Sequence, residues 1–151
     1  MQEKKTDTNP LELTLEAKVA SISLDESVLV RVILRNIGSA PITVNSRMLL
    51  NHPTAPDAAR EIDMAISGPT NYINLKRFHV NAGPASPNHF VVLQPEESVE
   101  CHYDLTQYFS LHVPGEYKIV ARYTNRSQES IYGKRPWVGS LTSEAITIKR
   151  L

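Results

Sequence analysis

The sequence predicts an all-β domain, an antiparallel sandwich of about seven to nine strands. Three observations predict it. Short runs in which apolar and polar residues alternate recur along the chain, as in Tyr117, Ile119, Ala121 and Tyr123 set against Glu116, Lys118, Val120 and Arg122. Successive side chains of a strand point to opposite faces, so such a run buries one side and wets the other. Turn signals rich in Pro, Gly, Asn and Asp separate the runs. No segment of ten or more residues combines a 3.6-residue apolar period with helix caps.

Apart from Met1, residues 1–9 are polar and predict a flexible tail, leaving 10–151 as one domain. Leu11, Leu13, Leu15, Ala17 and Val19 alternate with Glu12, Thr14, Glu16 and Lys18 as a first strand. After a turn at 24–27, Val28 to Arg35 places Val28, Val30, Val32 and Leu34 on one face and Leu29 and Ile33 on the other. Its β-branched content and two apolar faces predict a central, well-covered strand. Asn36 to Pro41 is a turn, and Ile42-Thr43-Val44 opens a strand expected to continue through Met48-Leu49-Leu50. A Pro- and Ala-rich loop follows at 51–60, and then Glu61 to Ser67 alternates again. Residues 71–89 are irregular, with a short strand expected around Leu75 to Val80.

The stretch from Leu93 to Tyr123 organises the rest. Gln94-Pro95-Glu96-Glu97 is a polar turn, and Val99, Cys101 and Tyr103 form the inward face of a strand. Asp104 to Phe109 suits a single helical or 3₁₀ turn across the end of the sandwich. Pro114-Gly115 supplies a fixed φ and then a residue tolerant of positive φ before the next strand. Thr124 to Leu141 reads as a polar loop, and Ser143 to Arg150 closes the domain with Ile146 and Ile148 on one face.

The segments NIGSAPITV (36–44), LQPEESVECHYDL (93–105), VPGEYKIVARY (113–123) and GSLTSEAITI (139–148) together resemble immunoglobulin-like or fibronectin-like bacterial β-sandwich modules. The chain is similar in this to the accessory sandwich of deuterolysin-like peptidases and to the intracellular proteinase inhibitor type of sandwich. The resemblance implies an immunoglobulin-like architecture over about 11–150 and an accessory or binding role. Glu96 departs from the pattern, standing where such modules often carry Gly. No zinc-peptidase motif is present, so peptidase activity does not carry over.

Composition narrows the function classes. The 16 Lys and Arg balance the 16 Asp and Glu, giving a formal net charge of zero. General nucleic-acid binders and anionic-membrane binders need a basic field, so neither is expected. No run of about 18 apolar residues exists to insert in a membrane. The first ten residues lack the apolar core of a signal peptide. Residence is therefore expected to be cytoplasmic, or exported after removal of a signal. The single cysteine, Cys101, forms no intrachain disulfide and lies on the predicted buried face. Asn125-Arg126-Ser127 matches a glycosylation sequon, a triplet common by chance.

No enzyme chemistry is expected. There is no G-x-S-x-G elbow and no glycine-rich phosphate loop. Five histidines are spread as His52, His79, His89, His102 and His112, with no H-x-H or H-x-x-x-H pair to converge on zinc. No cofactor or metal is predicted. The loops attract more interest. Trp137, the sole tryptophan, is flanked by Arg135, Lys134, Tyr132 and Arg126, and the 68–89 loop carries Tyr72 and Phe78. Trp, Tyr and Arg dominate binding hot spots because they bury large area and keep a polar handle. Two readings stand: Trp137 plugs the end of the sandwich, or these residues form a surface for a protein or peptide. Proteinase inhibition, carbohydrate stacking and pairing at a free edge strand are the alternatives.

Overall fold

A computed structural model describes residues 9–50, 61–69, 72–73, 87–126 and 135–151. The fold is a β-sandwich, and the described residues hold nine strands of four residues or more: β1 (Leu11–Ala17), β3 (Leu29–Asn36), β4 (Ile42–Asn45), β5 (Ile62–Ser67), β7 (Phe90–Leu93), β8 (Ser98–Asp104), β9 (Gly115–Asn125), β10 (Gly139–Thr142) and β11 (Ile146–Arg150). Two-residue pairings at β2 (Ser21–Ile22) and β6 (Tyr72–Ile73) complete the set, and the expected turn after β8 is a 3₁₀ turn at Leu105–Gln107. The expected strand at 75–80 lies outside the described residues.

One layer has the order β1-β3-β8, continued by the pair β4-β7. These are one long interrupted ladder, because β3 leads into β4 and β7 into β8. Asn36 bridges the interruption. Its amide donates to Glu97 O (2.9 Å), and its carbonyl accepts from Glu96 N (2.8 Å). Its side chain donates to Ala40 O and Leu93 O (both 2.9 Å) and accepts from Gly38 N. A fully buried polar side chain is tolerated here because every group on it is satisfied.

The other layer runs β2-β11-β9-β5-β6, with β10 also on β9. β5 occupies one edge of β9, while β11 and then β10 occupy the other. Between β10 and β11 the ladder breaks, and the Ser143 hydroxyl accepts the Ala121 amide hydrogen at 2.9 Å in place of a backbone carbonyl. The core between the layers joins Leu11, Leu13, Leu15, Val30, Val32 and Leu34 to Ile62, Met64, Ile66, Tyr117, Ile119, Ala121, Tyr123 and Ile148.

Four details differ from the sequence reading. The pairing of β2 with β11 is parallel. β3 is central, but its outer face meets solvent: Leu29 is 39% exposed, and Arg31 and Glu100 lie over that face. The strand from Ile42 stops at Asn45, and the expected continuation through Met48 to Leu50 is interrupted at Met48, which adopts the left-handed φ of +54°. Gly139 to Leu141, the end of the expected loop, belong to the strand Gly139–Thr142 paired with β9. The Pro114-Gly115 turn forms as expected. Gly115 has φ +132°, and a Cβ there would lie 2.6 Å from Pro69 Cγ, so a side chain is excluded.

Arg150 is 3% exposed, although the end of β11 reads as polar. Its guanidinium donates to the carbonyls of Leu111 (2.9 Å), Glu26 (2.8 Å) and Leu24 (3.1 Å), tying three segments at one end of the sandwich.

Candidate functional site

The opposite end is gathered by β4 and the five residues after it. Thr43 O accepts the Trp137 amide hydrogen (2.8 Å), and Thr43 bridges Pro136 in parallel. Ser46 donates its amide and its hydroxyl to His89 O (2.8 and 2.7 Å). Leu49 O accepts from Ile62 N (2.8 Å). Residues 43–49 therefore hold Pro136 and Trp137, His89 at the end of the 3₁₀ turn Pro87–His89, and Ile62 at the start of β5. Three separate parts of the chain meet on β4 and the residues just after it.

A buried polar cluster stiffens this hub. Glu61, 3% exposed, accepts from Arg47 Nε (3.0 and 2.9 Å), from Arg47 Nη2 (2.9 Å), from Asn45 Nδ2 (2.7 Å) and from the Leu49 amide (2.8 Å). Both carboxylate oxygens are saturated by donors from one side of the chain, so the pair clamps β4 to the start of β5. Two phenols close the cluster: Tyr103 donates to Met48 O (2.6 Å) and Tyr123 to Asn45 O (2.7 Å). Burial pushes both phenols well above the ordinary tyrosine value, so they remain donors throughout neutral pH.

Trp137 lies over this hub. Its indole stacks on Tyr123 with ring centroids 5.9 Å apart and an interplanar angle of 28°. Its carbonyl accepts from Asn125 Nδ2 at 2.7 Å. Gly139, at φ +144°, lets the indole lie against the backbone: a Cβ there would come within 3.2 Å of Cη2 and Cζ2. The side chain is half-buried against the core. Around it Arg126 and Arg135 are exposed, as is Val138 at 42%.

Of the residues singled out by sequence, Trp137, Arg135 and Arg126 come together at this end. Tyr72 does not join them. β6 pairs with the far end of β5, Tyr72 opposite Ser67, about 17 Å along the strand from Ile62. Tyr132, Lys134 and Phe78 lie outside the described residues. Sequence reasoning missed Asn45, Arg47 and Glu61 altogether. Glu61 begins the alternating run EIDMAIS in the place of an ordinary solvated flank, and nothing local marks it as buried.

The described histidines stay apart: His89 is beside Ser46 at the hub, His102 is on the outer face of β8, and His112 is just before β9 at the other end. Among the described residues no three His, Cys, Asp or Glu side chains converge as metal ligands, and no helix is long and apolar enough to cross a membrane. A groove of about 600 Å³ on the outer face of β1-β3-β8 carries Glu16, Arg31, His102 and Asp104. Its charges are largely engaged with one another and with Glu100: Arg31 meets Glu16 at 2.6 Å and Glu100 at 3.4 Å, and Glu100 meets His102 at 2.7 Å. Searched against protein-family models and against curated proteins, the chain matches none.

Proposed function

We propose that the chain is a non-catalytic binding module that recognises a protein or peptide with the end of the sandwich gathered by β4. The observation that carries this reading is the placement of half-buried Trp137 among exposed Arg126, Arg135 and Val138, on a hub braced by the Arg47–Glu61 pair. A rigid scaffold presenting an aromatic group with cations at its rim is the arrangement of interaction hot spots. The saturated carboxylate of Glu61 has no free oxygen for acid–base work, which favours binding over catalysis. The Tyr123 stack and the Gly139 backbone occupy much of the indole surface, which favours a protein partner over a sugar ring. The same reading places the module among immunoglobulin-like bacterial sandwiches, with the turns at 94–97 and 114–115 as its support.

The test is affinity capture from the host's own extract, comparing the wild-type chain with an Arg126→Glu, Arg135→Glu, Val138→Asp variant. All three side chains are exposed, so the variant keeps its fold. A partner held by wild type and lost by the variant is the expected result. Equal capture by both would sink the assignment of this surface.

A further inference from the structure

β1 is an edge strand whose outer side has no partner among the described residues. The bonds from Lys18 N to Leu29 O (3.0 Å) and from Ile37 N to Pro10 O (2.8 Å) fix the phase of its ladder with β3. Even-numbered residues of β1 bond to β3, and the amides and carbonyls of odd-numbered residues face outward. Leu11 N is taken by Asn9 Oδ1 at 3.1 Å. Open amide and carbonyl pairs therefore remain at Leu13, Leu15 and Ala17. Leu13 and Leu15 border a groove of about 580 Å³ between β1 and residues 141–146. β1 contains no proline, no inward-facing charge and no bulge, and its charges, Glu12 and Glu16, lie on the outer face.

These open groups are symmetric about Leu15, which selects a register. A second β1 laid antiparallel and centred on Leu15 pairs Leu15 with the partner's Leu15 and Leu13 with the partner's Ala17, using every open group in about six main-chain hydrogen bonds. The same register sets exposed Glu12 opposite the partner's Lys18, twice by symmetry, and brings Val19, 53% exposed, opposite the partner's Leu11. Shifting the centre to Thr14 sets Glu12 against the partner's Glu16 and brings in the occupied amide of Leu11. Centring on Leu13 leaves Ala17 beyond the reach of the partner's open groups. Centring on Glu16 sets Glu16 against the partner's Glu16, so backbone satisfaction and charge complementarity together choose the Leu15 register. The zero formal net charge sets no overall repulsion between copies.

We propose that the protein forms a two-fold dimer through β1, joining two β1-β3-β8 layers into one continuous sheet across the open amides and carbonyls of Leu13, Leu15 and Ala17. This stands apart from recognition at the loop end, since β1 pairs with β3 and takes no part in the β4 hub.

Sedimentation equilibrium of the full chain over a concentration series tests it. Wild type is expected to dimerise, and Glu12→Lys and Lys18→Glu are each expected to weaken the dimer about tenfold or more, because each turns two cross-strand attractions into repulsions. Mixing the two variants restores Glu–Lys apposition at both pairs, so a heterodimer near wild-type affinity is expected. Both side chains are exposed, so circular dichroism should be unchanged. Amide exchange at Leu13, Leu15 and Ala17 should slow with concentration. A wild type that stays monomeric throughout the series overturns the proposal, including the case where β1 instead takes an extended peptide. A dimer indifferent to both charge reversals overturns it equally.

Discussion

The indole of Trp137 stacks on Tyr123 at 5.9 Å while the Tyr123 hydroxyl donates to Asn45 O at 2.7 Å, so one tyrosine joins the loop residue to the β4 hub. Trp137 therefore packs against the core and borders the surface at once. Trp137→Ala is expected to destabilise the fold by about 2 kcal/mol, less than a fully buried tryptophan because the ring is half-exposed. Trp137→Phe should recover more than half of that loss. Urea denaturation of the three proteins measures it, and an Ala variant with the wild-type midpoint would show that the stack contributes nothing.

In the Arg47–Glu61 pair Glu61 is buried and Arg47 nearly so, and the two rely on each other. Replacing Glu61 by Gln or Leu leaves the Arg47 guanidinium without its counter-charge, an error that costs about 3–5 kcal/mol when a buried pair loses one member. The double variant Arg47→Met, Glu61→Leu removes both charges and fills similar volume. It should recover most of the stability. If the single and double variants prove equally unstable, the loss comes from packing rather than from a stranded charge.

Much of this fold was legible in the sequence because half-buried strands carry period two. Leu11 to Ala17 and Tyr117 to Tyr123 fall on the faces their alternation assigns, and Cys101 lies inward between Val99 and Tyr103. β10 was not legible, since Gly-Ser-Leu-Thr is short, polar and tied down by its neighbour β9 rather than by its own pattern. The hub was hidden for a different reason. Asn45, Glu61 and Arg150 are buried, and Arg47 is partly buried, by partners distant in sequence, and the carbonyls of Thr43, His89 and Leu49 that anchor the loops leave no side-chain signature. The nearness of Trp137, Arg135 and Arg126 was readable from one loop. The separation of Tyr72 depended on the register of β6.

Glu96 shows how a departure from a sequence pattern can locate strain. Glu97 N bonds to Gln94 O at 2.9 Å, closing a four-residue turn with Pro95 second and Glu96 third at φ +75°. A positive φ at the third position is where such turns favour Gly. A left-handed conformation costs an ordinary residue about 1–2 kcal/mol, whereas Gly adopts it freely. The ion pair between Glu96 and Arg35 is exposed and offsets little of this. Glu96→Gly and Glu96→Ala both lose that pair, but only Ala keeps the strain. The Gly variant is expected to be the more stable of the two by about 1 kcal/mol in thermal or urea denaturation. An Ala variant equal to Gly would mean the turn relaxes without penalty.

Asp104 gives the fold an acid-sensitive contact. It caps the 3₁₀ turn at Leu105–Gln107, accepting from the Thr106 amide at 3.1 Å and from the Thr106 hydroxyl. Burial pushes its pKa up, but hydrogen bonds from Thr106, Ser27 and Gln107 outweigh that and hold it below the ordinary value of 3.8. A carboxyl whose folded pKa is depressed adds stability that is present above the unfolded value and fades as pH falls through the folded one. Asp104→Asn should therefore be less stable than wild type at neutral pH, with the gap narrowing below pH 3.8 as the wild-type carboxylate takes up its proton. Urea midpoints of both proteins across the acid range measure this. A gap that stays constant through the acid limb would mean that the cap acts through shape alone, with no part played by its charge.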